Sequence, residues 1–287
     1  MINRILWAIS KVDDINKTQE YVKQLAKNFN AKVFVINVIP DYQNFNYSVK
    51  EEEKIKISDW VNNTLIPSGN DLLIGIAKDL EKEGINCEVK VEQGIPSQAI
   101  IDAAKSFEVD LIVVGKGRSG NNSLLGGTAL KIIRRSDTPV LCVNNKKFNN
   151  FKDILVPYKL DYLAKNNVNY SLKFAKPFNS NIHSLYVVEV DEEITPKHII
   201  QLFKEVSETE LREMLSDDNL YSDIGIGVEV DYNAWTGIIN YANKHNSDLI
   251  IMNTHEQQDK YSDFLGSITG KVIQEAPCPV LTMKPVK

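Results

Sequence analysis

The stretch from Gly115 to Thr128, Gly115-Lys116-Gly117-Arg118-Ser119-Gly120-Asn121-Asn122-Ser123-Leu124-Leu125-Gly126-Gly127-Thr128, holds the residue types most able to do chemistry. Five glycines fall within residues 115–127. Glycine adopts positive φ freely, so this backbone can turn tightly and approach a ligand closely. The stretch leaves an apolar strand-like run and enters a helix-like one, whose buried side would be Ala129, Leu130, Ile132 and Ile133. Unpaired amides at a helix start, at the positive end of its dipole, favour an anion. Thr128 adds a hydroxyl. Lys116 and Arg118 add positive charge to a chain of formal net charge −5. Together these features suit a polyphosphate.

Two other readings stand beside this one. Gly115, Gly117 and Gly120 spell GxGxxG, the dinucleotide fingerprint. That fingerprint belongs at a first strand-to-helix turn, with an acid about 20 residues on at the end of the next strand. Here it follows a fourth strand, the helix begins only near Gly127, and Asp137 precedes the next strand. A Walker loop, GxxxxGK[ST], is absent. The remaining alternative is a surface loop that binds nothing.

The elements that must position this loop form a degenerate internal repeat. Asp110-Leu111-Ile112-Val113-Val114 matches Asp248-Leu249-Ile250-Ile251-Met252. Gly127-Thr128 matches Gly266-Ser267, and Pro139-Val140-Leu141 matches Pro279-Val280-Leu281. The run Arg4–Ile9 resembles Asp153–Tyr158. Residues 4–10 read as a buried strand, and 15–29 as a helix with Ile15, Val22, Leu25, Ala26 and Phe29 inward. Ala31–Ile39 and Ile85–Val91 read as strands. Residues 50–66 and 71–83 read as helices interrupted at Pro67-Ser68-Gly69, and Gly94-Ile95-Pro96-Ser97 opens a further helix. A helix around 196–215, with Ile199, Leu202, Phe203, Val206, Leu211, Met214 and Leu215, has the periodicity of packing on the second sheet; the segments 41–70 and 191–220, which differ most between the copies, could alternatively bind a small molecule or a partner.

Strands alternating with helices predict an α/β fold: two tandem doubly wound parallel-sheet domains, covering 1–146 and 151–287. The polar run 144–150 joins them. Ligands of such sheets bind beyond the carboxyl ends of the strands, where strand order reverses.

At these residues the chain resembles the universal stress protein family, whose ATP-binding members carry G-x2-G-x9-G-[S/T]. This sequence reads Gly115-x-Gly117-x9-Gly127-Thr128, with the first spacing one residue short. The resemblance covers both halves. It implies the adenine-nucleotide α-hydrolase-like fold, with the two domains forming an intramolecular pseudo-dimer through the stretches 139–143 and 279–283. It implies ATP, with or without Mg²⁺, as the cofactor. The phosphates would lie on Val114, Gly115, Lys116, Gly117, Arg118, Gly127, Thr128, Ala129 and Leu130. The nucleoside would lie against Ala8, Ile9, Ser10 and Val38. Many ATP-binding members have Asp where Ser10 stands; Asp13 or Asp14 could replace it or cap the following helix.

The second copy has lost this chemistry. Its loop, 253–267, keeps Gly266-Ser267 but not the leading glycines; Glu256, Asp259 and Asp263 bring negative charge instead. Like charges a few ångströms apart repel, so weak or no ATP binding is expected there. Lys159 could offset part of that charge, and with His255 it could form a separate polar site; two solvated surface residues are the plainer reading.

Composition narrows the function classes. An acidic balance gives no general attraction to nucleic acid or anionic lipid. No run approaches the ~18 apolar residues of a membrane span, and the first ten residues do not read as a signal peptide, so a cytoplasmic location is expected. Cys87, Cys142 and Cys278 are widely spaced in strand-like runs and read as apolar side chains. No metal motif, paired carboxylates or nucleophile–base pair appears, and Ser119 and Ser123 lack an evident base. The expected function is an ATP-binding regulatory protein of stress response. The alternatives are a slow ATPase or adenylyl-transfer enzyme on the same site, and a dimerisation or adaptor module with an empty loop. The expected partners are an adenine nucleotide and an unidentified protein; a homodimer is left open.

Overall fold

A computed structural model of the chain describes residues 2–9, 12–42, 50–117, 126–144, 146–158, 164–191, 195–215, 224–254 and 267–284. These fold as two compact units, one of residues 2–117 and 126–140, the other from Leu141 onward.

In the first unit, the strands are β1 (Arg4–Ile9), β2 (Lys32–Pro40), β3 (Cys87–Gly94) and β4 (Leu111–Gly115), all parallel and in the order β3-β2-β1-β4. The helices are α1 (Val12–Phe29), α2 (Glu51–Trp60), α3 (Ile66–Lys82), α4 (Pro96–Ser106) and α5 (Gly127–Arg135). The strand β5 (Val140–Val143) spans the division between units. β1 and β4 are apolar almost throughout because both faces of a parallel sheet are covered. Trp7, Leu6, Leu111 and Ile112 have no exposed surface.

The second unit holds β6 (Asp153–Pro157), α6 (Ala164–Ala175), β7 (Asn181–Glu189), α7 (Lys197–Leu215), β8 (Ile224–Asp231), α8 (Ala234–Lys244), β9 (Leu249–Asn253), α9 (Ser267–Glu275) and β10 (Val280–Met283). Its sheet runs β10-β9-β6-β7-β8. Right-handed crossovers then place α6 and α7 on one face and α8 and α9 on the other. The order reverses between β6 and β9, as it does between β1 and β4 in the first unit. Phe151 is fully buried against Phe148, Phe174 and Phe178, at ring separations of 5.2, 5.6 and 5.1 Å.

The repeat recurs in the backbone. Among the described residues, four other than glycine have positive φ: Asn30, Glu108, Asn179 and Asn246, at 52°, 48°, 51° and 51°. They end α1, α4, the single 3-10 turn after α6, and α8, so they form two matched pairs. Each is followed by the same closing bond, from the next amide back to a carbonyl five residues earlier: Ala31 to Ala26, Val109 to Ala104, Ser180 to Ala175 and Ser247 to Ala242, at 2.9–3.3 Å. This is a left-handed helix cap that satisfies a terminal carbonyl.

Two expectations need correction. The break at Pro67-Ser68-Gly69 does not form: α2 passes through a π-helical turn, Val61–Leu65, straight into α3. Pro67 has no N–H to donate, and the π-turn immediately before it lets the helix continue past that missing bond. The apolar face of α7 is not wholly packed on the sheet, for Leu202, Phe203 and Val206 remain 51%, 40% and 48% exposed. Cys142 and Cys278 are buried as apolar side chains, and burial pushes the Cys278 thiol up to about 12, whereas Cys87 is half-buried and its thiol donates to the Ala77 carbonyl at 3.7 Å.

Candidate functional site

The first strand delivers Ala8 and Ile9 to the carboxyl edge of the sheet. Ala8 pairs with Ile36 on one side and Val114 on the other, and Ile9 with Asn37. Ala8, Ile9 and Val114 are buried, whereas Val38, one position past Asn37, is half-buried. Gly115 ends β4, so the chain leaves the sheet beside Ile9 at the point where strand order reverses.

There the glycine stretch opens and closes on itself. The Gly126 amide donates to the Lys116 carbonyl at 2.9 Å. Gly117 has φ of +74°, and a Cβ added to it would lie 3.6 Å from the Gly126 Cα. A Cβ on Gly126 would lie 3.4 Å from the Lys116 oxygen. The two stems are therefore in backbone contact; a Cβ at either position would make only ordinary contact, and it is the positive φ of Gly117 that favours glycine there. Residues 118–125, Arg118 included, lie outside the described residues, as does Ser10.

α5 begins immediately beyond this closure. Gly126 occupies its N-cap position and has no side chain to cap the helix; no acidic residue falls in the first turn. Gly127 and Thr128 are exposed, Ala129 is buried, and Leu130 is half-buried. The first-turn amides thus meet the carboxyl edge of β4 with the positive end of the helix dipole, the arrangement that favours an anion. Among the described site residues, the structure brings Ala8, Ile9, Val38, Val114, Gly115, Lys116, Gly117, Gly127, Thr128, Ala129 and Leu130 to one edge of one unit. Asp13 and Asp14 fall in the first turn of α1.

One residue of this edge is not singled out by the sequence. Asn37 donates from Nδ2 to the Ile9 carbonyl at 3.4 Å. α3 crosses close above it: a Cβ on Gly69 would lie 3.5 Å from Asn37 Oδ1 and 3.4 Å from Val91. A polar residue inside the apolar run Val33–Ile39 was the available signal.

The corresponding edge of the second unit is differently furnished. The matched pairs Asn30/Asn179 and Asp110/Asp248 set the alignment, which places Tyr158 where Ile9 stands and Asn253 where Gly115 stands. The Tyr158 hydroxyl is driven up to about 12 by burial, which outweighs the opposing effect of nearby Ser184. Tyr158 and Ser184 do not reach hydrogen-bond geometry, and both oxygens are buried without a partner. Ser267 opens α9. Lys159, His255, Glu256, Asp259, Asp263 and Gly266 lie outside the described residues.

Among the described residues, no group of three or more His, Cys, Asp or Glu side chains could hold a metal ion, and no helix is long and apolar enough to cross a membrane.

Comparison with known proteins bears on the same two halves. The model of the Universal stress protein family matches residues 1–144 and again residues 150–284. A universal stress protein of Methanocaldococcus jannaschii is 30% identical over 125 residues, covering 43% of this chain and 71% of that protein. Another, from Mycobacterium tuberculosis, is 22% identical over 202 residues, 65% of this chain and 68% of that one. Among solved structures, a universal stress protein from Archaeoglobus fulgidus superposes over the whole of both chains with a TM-score of 0.71 at 20% identity. A protein of unknown function from Pseudomonas aeruginosa superposes over 99% of this chain and 93% of its own with a TM-score of 0.70 at 16% identity. At such identities the structural likeness speaks for the fold. The doubled family match, spanning nearly all the sequence, shows that this chain belongs to the universal stress protein family.

Proposed function

We propose that the first unit binds ATP, with or without Mg²⁺, and that nucleotide occupancy regulates a stress response. The observation that carries this reading is the closed glycine stem. The Gly126-to-Lys116 bond and the positive φ of Gly117 set an uncapped helix start directly beside the ends of β1 and β4. Polyphosphate would meet the amides of Gly127, Thr128 and Ala129, with Lys116 and Arg118 supplying charge. The nucleoside would lie along Ala8, Ile9, Ser10 and Val38. Asn37 would help to fix the Ile9 carbonyl.

On this reading the domains cover 1–146 and 151–287, the protein acts in the cytoplasm, and the second domain binds ATP weakly or not at all. Occupancy would be read by an unidentified protein partner or by a second copy of the chain. Denaturing the purified protein and identifying any released nucleotide tests the site, with calorimetric titration of ATP-Mg²⁺ as the second measurement. One ATP per chain is expected; no released nucleotide, together with no heat at millimolar ATP, overturns the reading. A single-turnover assay distinguishes a binding role from slow hydrolysis.

A further inference from the structure

The second unit gathers polar atoms that its own fold leaves unsatisfied. Tyr158 Oη, Asn167 Oδ1, Ser184 Oγ and Asn253 Oδ1 are all buried without a hydrogen-bond partner. Asn167 and Ser184 have no exposed surface at all. Native proteins leave few such groups, because an unpaired buried polar atom is costly, and a bound molecule can supply the missing partners. In the first unit only Trp7 Nε1 shares this character among the described residues.

The topology brings the four residues to one edge of the unit. Ser184 pairs with Val156, so in the parallel sheet it shares a face with Val156 and with Tyr158 two residues on. His183 points to the opposite face, against Tyr241 of α8. The Tyr158 and Ser184 face is therefore the one covered by α6. Asn167 projects from α6 and donates from Nδ2 to the Pro157 carbonyl at 3.4 Å. Only its amide nitrogen can make that bond, so its oxygen is the free acceptor. Continuing the β6–β9 register from Leu155↔Ile250 sets Asn253 beside Tyr158. The cluster thus sits where strand order reverses, the position at which open α/β sheets take ligands.

In the alignment of the two units this polarity belongs to the second unit. The first unit carries Ile9, Thr18, Val35 and Gly115 at the four positions. Three of these have no side-chain polar atom, and the Thr18 hydroxyl is satisfied by the Ile15 carbonyl at 3.2 Å.

We propose that the second unit holds a closed, uncharged site, made by Tyr158, Asn167, Ser184 and Asn253, for a small neutral molecule of the primary-carboxamide class. Two amide oxygens of the site accept the ligand's N–H groups. The two hydroxyls, both neutral, can donate to its carbonyl. An anion of the same shape brings no donor and leaves the amide oxygens unpaired.

The test uses the full chain and two isosteric probes, acetamide and acetate, followed by saturation-transfer NMR. Acetamide is expected to bind in the millimolar range, given its few atoms, and acetate not to bind. Tyr158→Phe is expected to weaken acetamide about five-fold, while Ser184→Ala weakens it similarly and guards against a folding artefact in either variant. ATP binding by the first unit should be unchanged in both, which separates this proposal from the nucleotide reading. Absence of acetamide binding, equal binding of acetate, or undiminished binding by Tyr158→Phe would each overturn it. So would a crystal grown with acetamide in which water alone bridges the four atoms.

Discussion

At the amino edge of the sheets the two units are built alike. Asp110 Oδ2 accepts from the amides of Asn3 and Arg4 at 2.7 and 3.0 Å. Asp248 Oδ2 accepts from Lys152 and Asp153 at 3.1 and 3.2 Å. In both, one aspartate at the entrance to the strand beside the switch point ties down the start of the unit's first strand. At the carboxyl edge they part. The first unit has Ile9, Gly115 and the closed Gly117–Gly126 stem; the second has Tyr158 and Asn253 over a polar floor. Strand starts expose backbone amides that every copy must satisfy, so their solution persists. The carboxyl edge carries no such obligation and is free to change its chemistry.

A third position differs in kind. Phe34 and Phe107 stack at 4.5 Å in the first unit. Their counterparts are His183 and His245, with ring centroids 5.8 Å apart and His245 stacked on Tyr241 at 4.0 Å. An apolar contact has become a titratable one.

The comparison can be broken most severely at Gly117. Gly117→Asp sets a carboxylate at the proposed phosphate site, and titration should show ATP affinity falling by about 100-fold or more. Unchanged affinity would remove the functional distinction between the units.

Next in size is the packing of α8. A Cβ on Gly237 would lie 2.6 Å from Val187 Cγ1, whereas the first unit carries Ala99 at the matching place. Gly237→Ala should lower stability by about 1–2 kcal/mol in chemical denaturation, overpacking outweighing the gain in helix propensity. A neutral or stabilising result would mean the helix can shift away.

The shared aspartates sharpen the likeness. Asp110→Ala and Asp248→Ala should each cost about 1 kcal/mol, since each frees two amides at a partly solvated strand start. Markedly unequal losses would show that the entrances are not equivalent.

The smallest effect concerns acid. Burial, then the neighbouring His183 and Lys244, hold the His245 pKa below its ordinary value, against an opposing pull from Glu229. Asp153 lies 3.9 Å from His183 on the other side. A depressed histidine favours folding in its neutral form. Its contribution is present above about pH 6.5 and is lost as pH falls through the lower folded value. His245→Phe, which restores the first unit's residue, should flatten the pH dependence of melting below that point. A curve parallel to wild type would show that the pair has no such role.

The repeat, the alternation of strand and helix and the glycine stretch were all legible in the chain, because periodicity and glycine spacing are local properties. Local reading failed where neighbours decide. Pro67 looks like a helix break, yet a π-turn ahead of it lets the helix continue. Leu202, Phe203 and Val206 have the spacing of a buried face, yet the sheet beneath α7 does not cover them. Asn37 reads as one residue of a strand until Ile9 and Gly69 are brought against it. The polar floor of the second unit lies beyond any sequence pattern, since Tyr158, Asn167, Ser184 and Asn253 come from three strand regions and a helix. What the amino-acid order determined by itself was the doubled scaffold and the glycine stretch that follows the fourth strand. Only the tertiary structure decided which buried atoms were left without partners, because satisfaction of a polar group depends on everything packed around it.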